Sequence, residues 1–381
     1  MFKKVFFVLI SMVISGAINM PIYAKPDVSA RAAAVIEAES GRVLYEKNAS
    51  EKMGMASTTK IMTAIVAIEN GNLSDTVTVS AHAANVEGSS MYLKEGEKIS
   101  LENLLYGLML QSGNDAATAI AEHIAGNEKK FAGLMNKKAK EIGVENTHFT
   151  NPHGLAEEKH YTTAADLAKI AAYGLKNPKF SKIVSSKTKT FEREGMGMAA
   201  ISNHNRFLKM YKGCIGVKTG FTKANGRCLV TASRRNGMTI VCVTLNAPDD
   251  WNDHKKLSDF AFADYCRKIY ARGGTVAGSA KVSGGHTDSV NGIYETDAAL
   301  FEKKGEEEWQ TEVKIKRKVS APIKAGTVIG KLTAENGNET RYFNIIAEKD
   351  VLARKKKQEK VQLREKSLEI FLMWCESFSG N

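Results

Sequence analysis

Two hydrophobic periods divide this chain. Ala32-Ala33-Ala34-Val35-Ile36-Glu37-Ala38 is an almost unbroken apolar run of strand length. Glu39-Ser40-Gly41-Arg42 supplies a turn and Val43-Leu44-Tyr45-Glu46 a second strand, which together predict a hairpin. Ala56-Ser57-Thr58-Thr59-Lys60 then opens the apolar run Ile61–Ile68, which reads as a buried helix. Thr76–Val79 is strand-like, and Gly88–Leu93 with Gly96 marks a loop region. Leu101–Leu110 has apolar residues at helical spacing and stops at Gln111-Ser112-Gly113-Asn114. Asp115–Ala125 restarts a helix that Gly126 ends. Further helices are predicted over Phe131–Ile142 and Thr163–Leu175, with a Pro- and Gly-marked loop at Thr150–Leu155 between them.

From Ser185 the pattern turns to alternation. Lys187–Phe191, Cys214–Thr222, Arg227–Ser233 and Met238–Asn246 read as strands, the last two joined by Arg234-Arg235-Asn236-Gly237. His254–Tyr270 reads as a closing helix. Strands early, helices in the middle and strands late predict an α+β region, one antiparallel sheet with helices on both sides. Past Arg272-Gly273-Gly274, short alternating strands around Val313, Ile315, Val319, Thr327–Leu332 and Arg341–Ile346 predict a small β domain over 276–348. In the tail, 351–381, the run Arg354-Lys355-Lys356-Lys357 precedes a helical pattern. Val361, Leu368, Phe371, Leu372, Cys375 and Phe378 fall on one side of it, and Glu365, Glu369 and Glu376 opposite. Such a helix suits the headgroup layer of a membrane, held by its basic run.

The first 24 residues change the picture of charge and compartment. Lys3 and Lys4 precede the apolar Val5–Ala17, and Ala24 offers a small residue before a cut, as in a secretory signal peptide over 1–24. The net charge of +12 drops to about +10 when Lys3 and Lys4 leave. A basic exported protein suits an anionic envelope, either acidic wall polymer or lipid headgroups. Nucleic acid is not expected as a partner, since no nucleic-acid motif is present. Five cysteines, Cys214, Cys228, Cys242, Cys266 and Cys375, lack metal-like spacing and read mostly as buried thiols, with a Cys214–Cys228 bridge as the alternative. His148 and His153 are too loosely spaced for zinc, and His123 reads as structural for want of an acidic or thiol partner beside it.

Ser57 and Lys60 share one helix face, close enough for an amine to reach a hydroxyl. A serine needs such a base to act as a nucleophile, and a lysine can be that base only if its pKa is depressed. The bland alternative makes Ser57 a helix N-cap. Two further elements favour chemistry: Ser112-Gly113-Asn114 at a helix junction and Lys218-Thr219-Gly220 on a strand.

Ser-x-x-Lys, a Ser-x-Asn element and Lys-Thr-Gly, in that order, resemble the signature of penicillin-binding proteins and class A β-lactamases. The chain looks most like the low-molecular-mass penicillin-binding proteins, serine-type D-alanyl-D-alanine carboxypeptidases, of the spore-former type. Asn151-Pro152-His153-Gly154-Leu155 and Asn205-Arg206-Phe207-Leu208 are also similar to theirs. The resemblance implies a β-lactamase/transpeptidase-like catalytic domain over 25–273, and a peptidoglycan stem peptide ending in D-Ala-D-Ala as substrate. It also implies β-lactams as acylating inhibitors, and attachment to the outer face of the cytoplasmic membrane. It casts Ser57 as nucleophile, Lys60 as base and Ser112 as proton relay. Asn114 would contact the substrate amide and help hold Lys60, and Lys218 and Thr219 would meet the terminal carboxylate. Gly220 would leave room for substrate, and the backbone N–H groups of Ser57 and Phe221 would form an oxyanion hole. Arg206 is a second candidate for the carboxylate. No metal or organic cofactor is implied. Some relatives carry histidine where this chain has Phe221. A β-lactamase would need a Glu-x-x-Leu-Asn-type loop after Ser112, which is not evident here, and a non-catalytic wall-binding scaffold would not need the intact serines and lysines.

Overall fold

The structure is a computed structural model, and it describes residues 25–306, 308–337, 339–354 and 359–378. The expected signal peptide and Lys355-Lys356-Lys357 lie outside the described residues. The chain divides into two compact units between Cys266 and Arg267.

The first unit is built on a five-stranded antiparallel sheet in the order β2-β1-β9-β8-β7. Its strands are β1 (Ala32–Glu37), β2 (Val43–Lys47), β7 (Cys214–Thr222), β8 (Gly226–Arg235) and β9 (Met238–Leu245). All six residues of β1 are buried, which explains why its sequence is apolar throughout rather than alternating. It pairs with β2 in the expected hairpin and with β9 from the far end of the unit. Asn236-Gly237, both at positive φ, close the β8–β9 hairpin. Helix α9 (Asp250–Asp264) packs on β8 and β9, and α6 (Ala164–Leu175) packs on β1 and β9.

The helical middle comprises α1 (Lys60–Asn70), α2 (Ala81–Ala84), α3 (Leu101–Tyr106), α4 (Asn114–Ala125), α5 (Glu128–Ile142), α6, α7 (Pro178–Ser185) and α8 (Phe207–Met210). Two small antiparallel pairs lie outside the main sheet: β3 (Thr76–Thr78) with β4 (Lys98–Ser100), and β5 (Thr188–Arg193) with β6 (Gly197–Ser202). Polar side chains start the helices. Thr163 Oγ1 accepts from Asp166 N at 3.1 Å, and Asn177 Oδ1 from Lys179 N at 2.9 Å with Pro178 in the first turn.

Three expectations need correction. The closing helix starts at Asp250 and ends at Asp264, rather than running from His254 to Tyr270. Asp250 and Asp253 favour the earlier start at the positive end of the helix dipole. Tyr265–Ala271 is strand β10, paired with β13 (Ala298–Lys303). Pairing overrides helical spacing there, so the first unit ends before the expected 273. Secondly, Cys214 and Cys228 are not bridged, and of the five cysteines only Cys228 and Cys242 are fully buried, with Cys266 and Cys375 exposed. Thirdly, His123 does have an acidic neighbour, Asp75, at 3.2 Å.

The second unit is all-β apart from its last helix. Its main sheet runs β14-β16-β17-β12-β11-β15, from β11 (Val276–Ser283), β12 (Ser289–Tyr294), β14 (Gln310–Ile315), β15 (Lys318–Ser320), β16 (Val328–Asn336) and β17 (Glu339–Ala347). Val290, Leu300, Trp309, Ile329, Leu332 and Ile345 fill its own core. Helix α10 spans Glu359–Phe378. Leu368, Phe371 and Leu372 are exposed on it, but so are Ile370, Met373 and Trp374. Five consecutive apolar residues cover more than one turn, so the apolar surface encircles this part of the helix instead of keeping to one side. Among the described residues no helix is long and apolar enough to cross a membrane.

Candidate active site

A strained turn carries Ser57. Ala56 sits at φ +47, a left-handed value uncommon for a residue with a side chain. Ala56–Thr59 then forms a 3₁₀ turn leading into α1, so Ser57 is not an N-cap. The hydroxyls of Thr58 and Thr59 fold back onto the carbonyls of Met55 and Ala56, at 2.5 and 2.8 Å, and brace the turn from inside.

One helical turn on, Lys60 is wholly buried. Its Nζ lies 3.1 Å from Ser57 Oγ, and it donates to Asn114 Oδ1 at 2.7 Å and to the His153 carbonyl at 2.6 Å. Burial pushes the amine well below its usual pKa of 10.5. The nearby charge of Lys218 pushes it further, and Asp115 opposes both. A neutral amine has two N–H groups and one lone pair. The two carbonyl-type oxygens take the two N–H groups, which leaves the lone pair for the Ser57 hydroxyl.

The His153 carbonyl is held by a loop that fits only around glycine. Gly154 has φ +92, and a Cβ there would lie 2.0 Å from the Ala56 oxygen. Asn151 Oδ1 accepts from Gly154 N at 2.7 Å, and Thr63 Oγ1 donates to the Pro152 carbonyl at 2.6 Å. His160 Nε2 meets Thr59 Oγ1 at 2.7 Å. Burial lowers the pKa of His153 to about 3 and of His160 to about 4, so both rings are neutral in the fold.

Ser112 follows a π-turn, Gly107–Gln111, and sits at φ +64 and ψ +28. This elbow ends one helical stretch and starts α4. Among the described residues its hydroxyl has no hydrogen-bond partner, while its backbone is fixed between Gln111 and Gly113. Asn114 uses both ends of its amide: Oδ1 accepts from Lys60 and Nδ2 donates to the Glu87 carbonyl at 2.6 Å. The fully buried Asp115 accepts from Ser90 Oγ, Met91 N and Leu93 N at 2.6, 2.9 and 3.1 Å. The same loop is clamped from the far side by Arg193, which donates to Glu97 through Nε and Nη2 at 2.8 Å each.

The edge strand β7 brings the third element. Lys218 is buried, donates to the Thr219 carbonyl at 2.8 Å, and has its pKa lowered by burial to about 7. A Cβ on Gly220 would lie 3.0 Å from Ser57 N and 3.1 Å from Thr58 N. The strand therefore runs directly against the nucleophile turn, and glycine permits that approach. Thr219 is half-buried and Phe221 is 63% exposed, so its ring contributes little packing.

Five of the sequence-predicted residues are linked in the structure. Ser57, Lys60 and Asn114 touch, Gly220 abuts the Ser57 turn, and the Lys218 charge reaches Lys60. Arg206 instead lies exposed at the start of α8 and, among the described residues, makes no side-chain hydrogen bond or ion pair with that group. Two residues earlier, His204 donates its backbone N–H to the Leu110 carbonyl at 3.0 Å. His204 is itself exposed, and residual desolvation and then the Lys218 charge lower its pKa.

The sequence profile described as D-alanyl-D-alanine carboxypeptidase, Peptidase S11, matches residues 20–249. The chain belongs to this family. A second profile, the C-terminal domain of penicillin-binding protein 5, matches residues 266–353. The D-alanyl-D-alanine carboxypeptidase DacF of Bacillus subtilis is 37% identical over 332 residues, covering 84% of this chain and 85% of its own. A crystal structure of a peptidoglycan synthesis regulatory factor from Streptococcus pneumoniae superposes with a TM-score of 0.75 at 28% identity. It covers 85% of this chain and 100% of that one. Penicillin-binding protein 5 of Haemophilus influenzae gives 0.69 at 29% identity, over 86% and 99%. The α+β fold with a following β unit is that of the family.

Sequence reasoning missed several residues of the site. His153 carries its role through a backbone carbonyl, which no side-chain pattern reveals. Asp115 looked like an ordinary first-turn acid, and His160 falls within no motif. Gly154 was the one legible signal, since with Pro152 it marks a tight loop.

Proposed function

We propose that this chain is an exported serine-type D-alanyl-D-alanine carboxypeptidase that removes the terminal D-alanine from peptidoglycan stem peptides through an acyl-enzyme on Ser57. The observation that carries the reading is the buried Lys60, whose Nζ lies 3.1 Å from Ser57 Oγ while Asn114 Oδ1 and the His153 carbonyl accept from it, so that the lone pair of its neutral form is left for Ser57. Ser57 Oγ attacks the carbonyl carbon of the D-Ala-D-Ala bond while Lys60 Nζ takes its proton. Ser112 passes a proton to the leaving nitrogen as the C–N bond breaks, and D-alanine departs. Water then attacks the ester and restores Ser57. The backbone N–H groups of Ser57 and Phe221 suit the developing oxyanion, since Gly220 holds β7 against the turn. Lys218, as a cation, and Thr219, as a hydroxyl donor, suit the terminal carboxylate. Asn114 fixes Lys60 first, and its second amide proton suits the substrate. Arg206 is left a peripheral part. β-Lactams acylate the same serine and stop there.

The remaining parts support an enzyme working at the envelope. Residues 1–24 serve as signal peptide, the unit ending near Cys266 as catalytic domain, 276–348 as a β spacer, and 351–381 as a peripheral anchor. Exposed Leu368–Trp374 on α10 and the preceding basic run support attachment to an anionic bilayer surface. The test is D-alanine release from a peptide ending in D-Ala-D-Ala, measured for the parent and for Ser57→Ala. Release by the parent alone supports the reading. Rapid penicillin turnover without D-alanine release would make the chain a β-lactamase instead.

A further inference from the structure

The second unit carries a groove unrelated to the Ser57 site. It has a volume of about 430 Å³ and is lined by Lys314, Ile315, Lys316, Val328, Gly330, Lys331 and Asn344. Its shape follows from the ladder. The register of β16 shifts between Val328 and Gly330, and a Cβ on Gly330 would lie 2.6 Å from the Lys314 oxygen. Glycine therefore lets β14 press close while the shifted strand leaves a trough.

The charge around this trough is unfavourable for the protein alone. Lys314 stands directly opposite Lys331 in the β14–β16 register, a like-charge pair that costs sheet stability. Along the run Lys314-Ile315-Lys316-Arg317-Lys318, the last lysine stands opposite Lys281 in the β11–β15 register, a second such pair. Glu312 neutralises Lys314 at 2.6 Å, whereas among the described residues Lys316 and Lys331 have no carboxylate partner. Lys331 instead lies 4.5 Å from the ring centroid of the exposed Tyr342. Val328 gives the lining an exposed apolar side chain, Ile315 packs toward the unit's own core, and Lys316 and Lys331 are, among the described residues, the unpaired cations of the lining.

We propose that this groove binds a linear phosphate-bearing polymer of the cell envelope, such as a polyol-phosphate chain. A single anion would be met by one ammonium group. Here the ammonium groups follow the strands, and positions two apart on one face are separated by about 7 Å. A chain with repeated charges can pair with several in turn, while its carbon skeleton lies on the exposed Val328 and the Tyr342 ring. Binding would give Lys316 and Lys331 the anionic partners they lack and hold the enzyme close to its wall substrate. The reading of a wall enzyme supplies only the place where such a polymer is met, so the two ideas fail separately.

The test uses the chain from Lys25 to Asn381 and its Lys316→Gln/Lys331→Gln variant. Affinity is measured by calorimetry against poly(glycerol phosphate), neutral dextran and phosphatidylglycerol vesicles, with benzylpenicillin acylation followed in parallel. The expected result is polymer binding by the parent that weakens about tenfold or more in the variant, given the usual contribution of each surface cation. Dextran should not bind, and vesicle binding and acylation should be the same in both proteins. Equal polymer affinity in parent and variant would overturn the proposal. So would a matching loss of vesicle binding, which would assign the groove to lipid headgroups.

Discussion

At the scale of single residues, the site depends on two lysines held out of water for different reasons. Lys60 is lowered so that it can accept a proton, while Lys218 is lowered only because burial disfavours its charge. A pKa of about 7 for Lys218, against 10.5 when exposed, means the unfolded chain binds this proton more readily between those values. Stability contributed at that position therefore falls as pH drops from about 10 to 7, and the cost is fully present below 7. Lys218→Met should raise the thermal midpoint at pH 7, with a gain that shrinks above pH 10. The same variant should lose about 10- to 100-fold in kcat/KM for D-Ala-D-Ala peptides, as expected for removing a charged hydrogen bond to a carboxylate. Calorimetric scans and steady-state kinetics on one preparation check both signs. Lys60→Met should keep the fold and lower the penicillin acylation rate by about 10²–10⁴, the usual worth of a general base. Stopped-flow acylation gives that rate directly.

At the scale of elements, close approach matters more than any one contact. β7, the Ser57 turn and the Asn151–Leu155 loop meet at two glycines. Gly220→Val should leave the sheet formed but push the strand from the turn, with a large fall in acylation and a small change in stability. Gly154→Ala should do the opposite first. A Cβ at φ +92, 2.0 Å from a backbone oxygen, has nowhere to move, so a loss of at least about 2 kcal/mol in urea unfolding is expected. These geometries mark the limit of what the chain reveals unaided. Ala32–Glu37, Cys214–Thr222 and the β8–β9 turn were legible because period, composition and turn chemistry agreed. The three motif elements were legible because their order is distinctive. Tyr265–Ala271 was not, since its pairing partner lies some thirty residues downstream and overrides local spacing. Pro178–Ser185 was missed although Asn177-Pro178 is a fair start signal, because the segment is short and polar. Arg206 entered only through the resemblance of Asn205–Leu208 to the family, and its exposed place at the start of α8 shows in the fold alone.

At the scale of the whole molecule, acid sensitivity follows from histidines kept neutral. His153, His160 and His254 have pKa values of about 3, 4 and 3, all depressed by burial. Below pH 6.5 the unfolded chain takes up these protons while the folded chain does not, so stability should fall as pH drops toward 4. The slope approaches about 1.4 kcal/mol per pH unit for each ring. His254 bonds Thr231 and Thr244 between the sheet and α9, away from Ser57. His254→Gln should therefore reduce the slope of the urea midpoint against pH by about one proton and leave acylation unchanged. The two units answer to different demands: the first holds a reactive amine dry, and the second, under the polymer-binding proposal, presents charge to the envelope. The central claim concerns the first. It is tested most directly by mass spectrometry of the soluble protein after brief exposure to benzylpenicillin, with the adduct mapped by peptide digestion. A single stable adduct on Ser57, absent from Ser57→Ala and strongly slowed in Lys60→Met, is the predicted result. An adduct on another residue, or equal labelling of folded Ser57→Ala, would contradict the account.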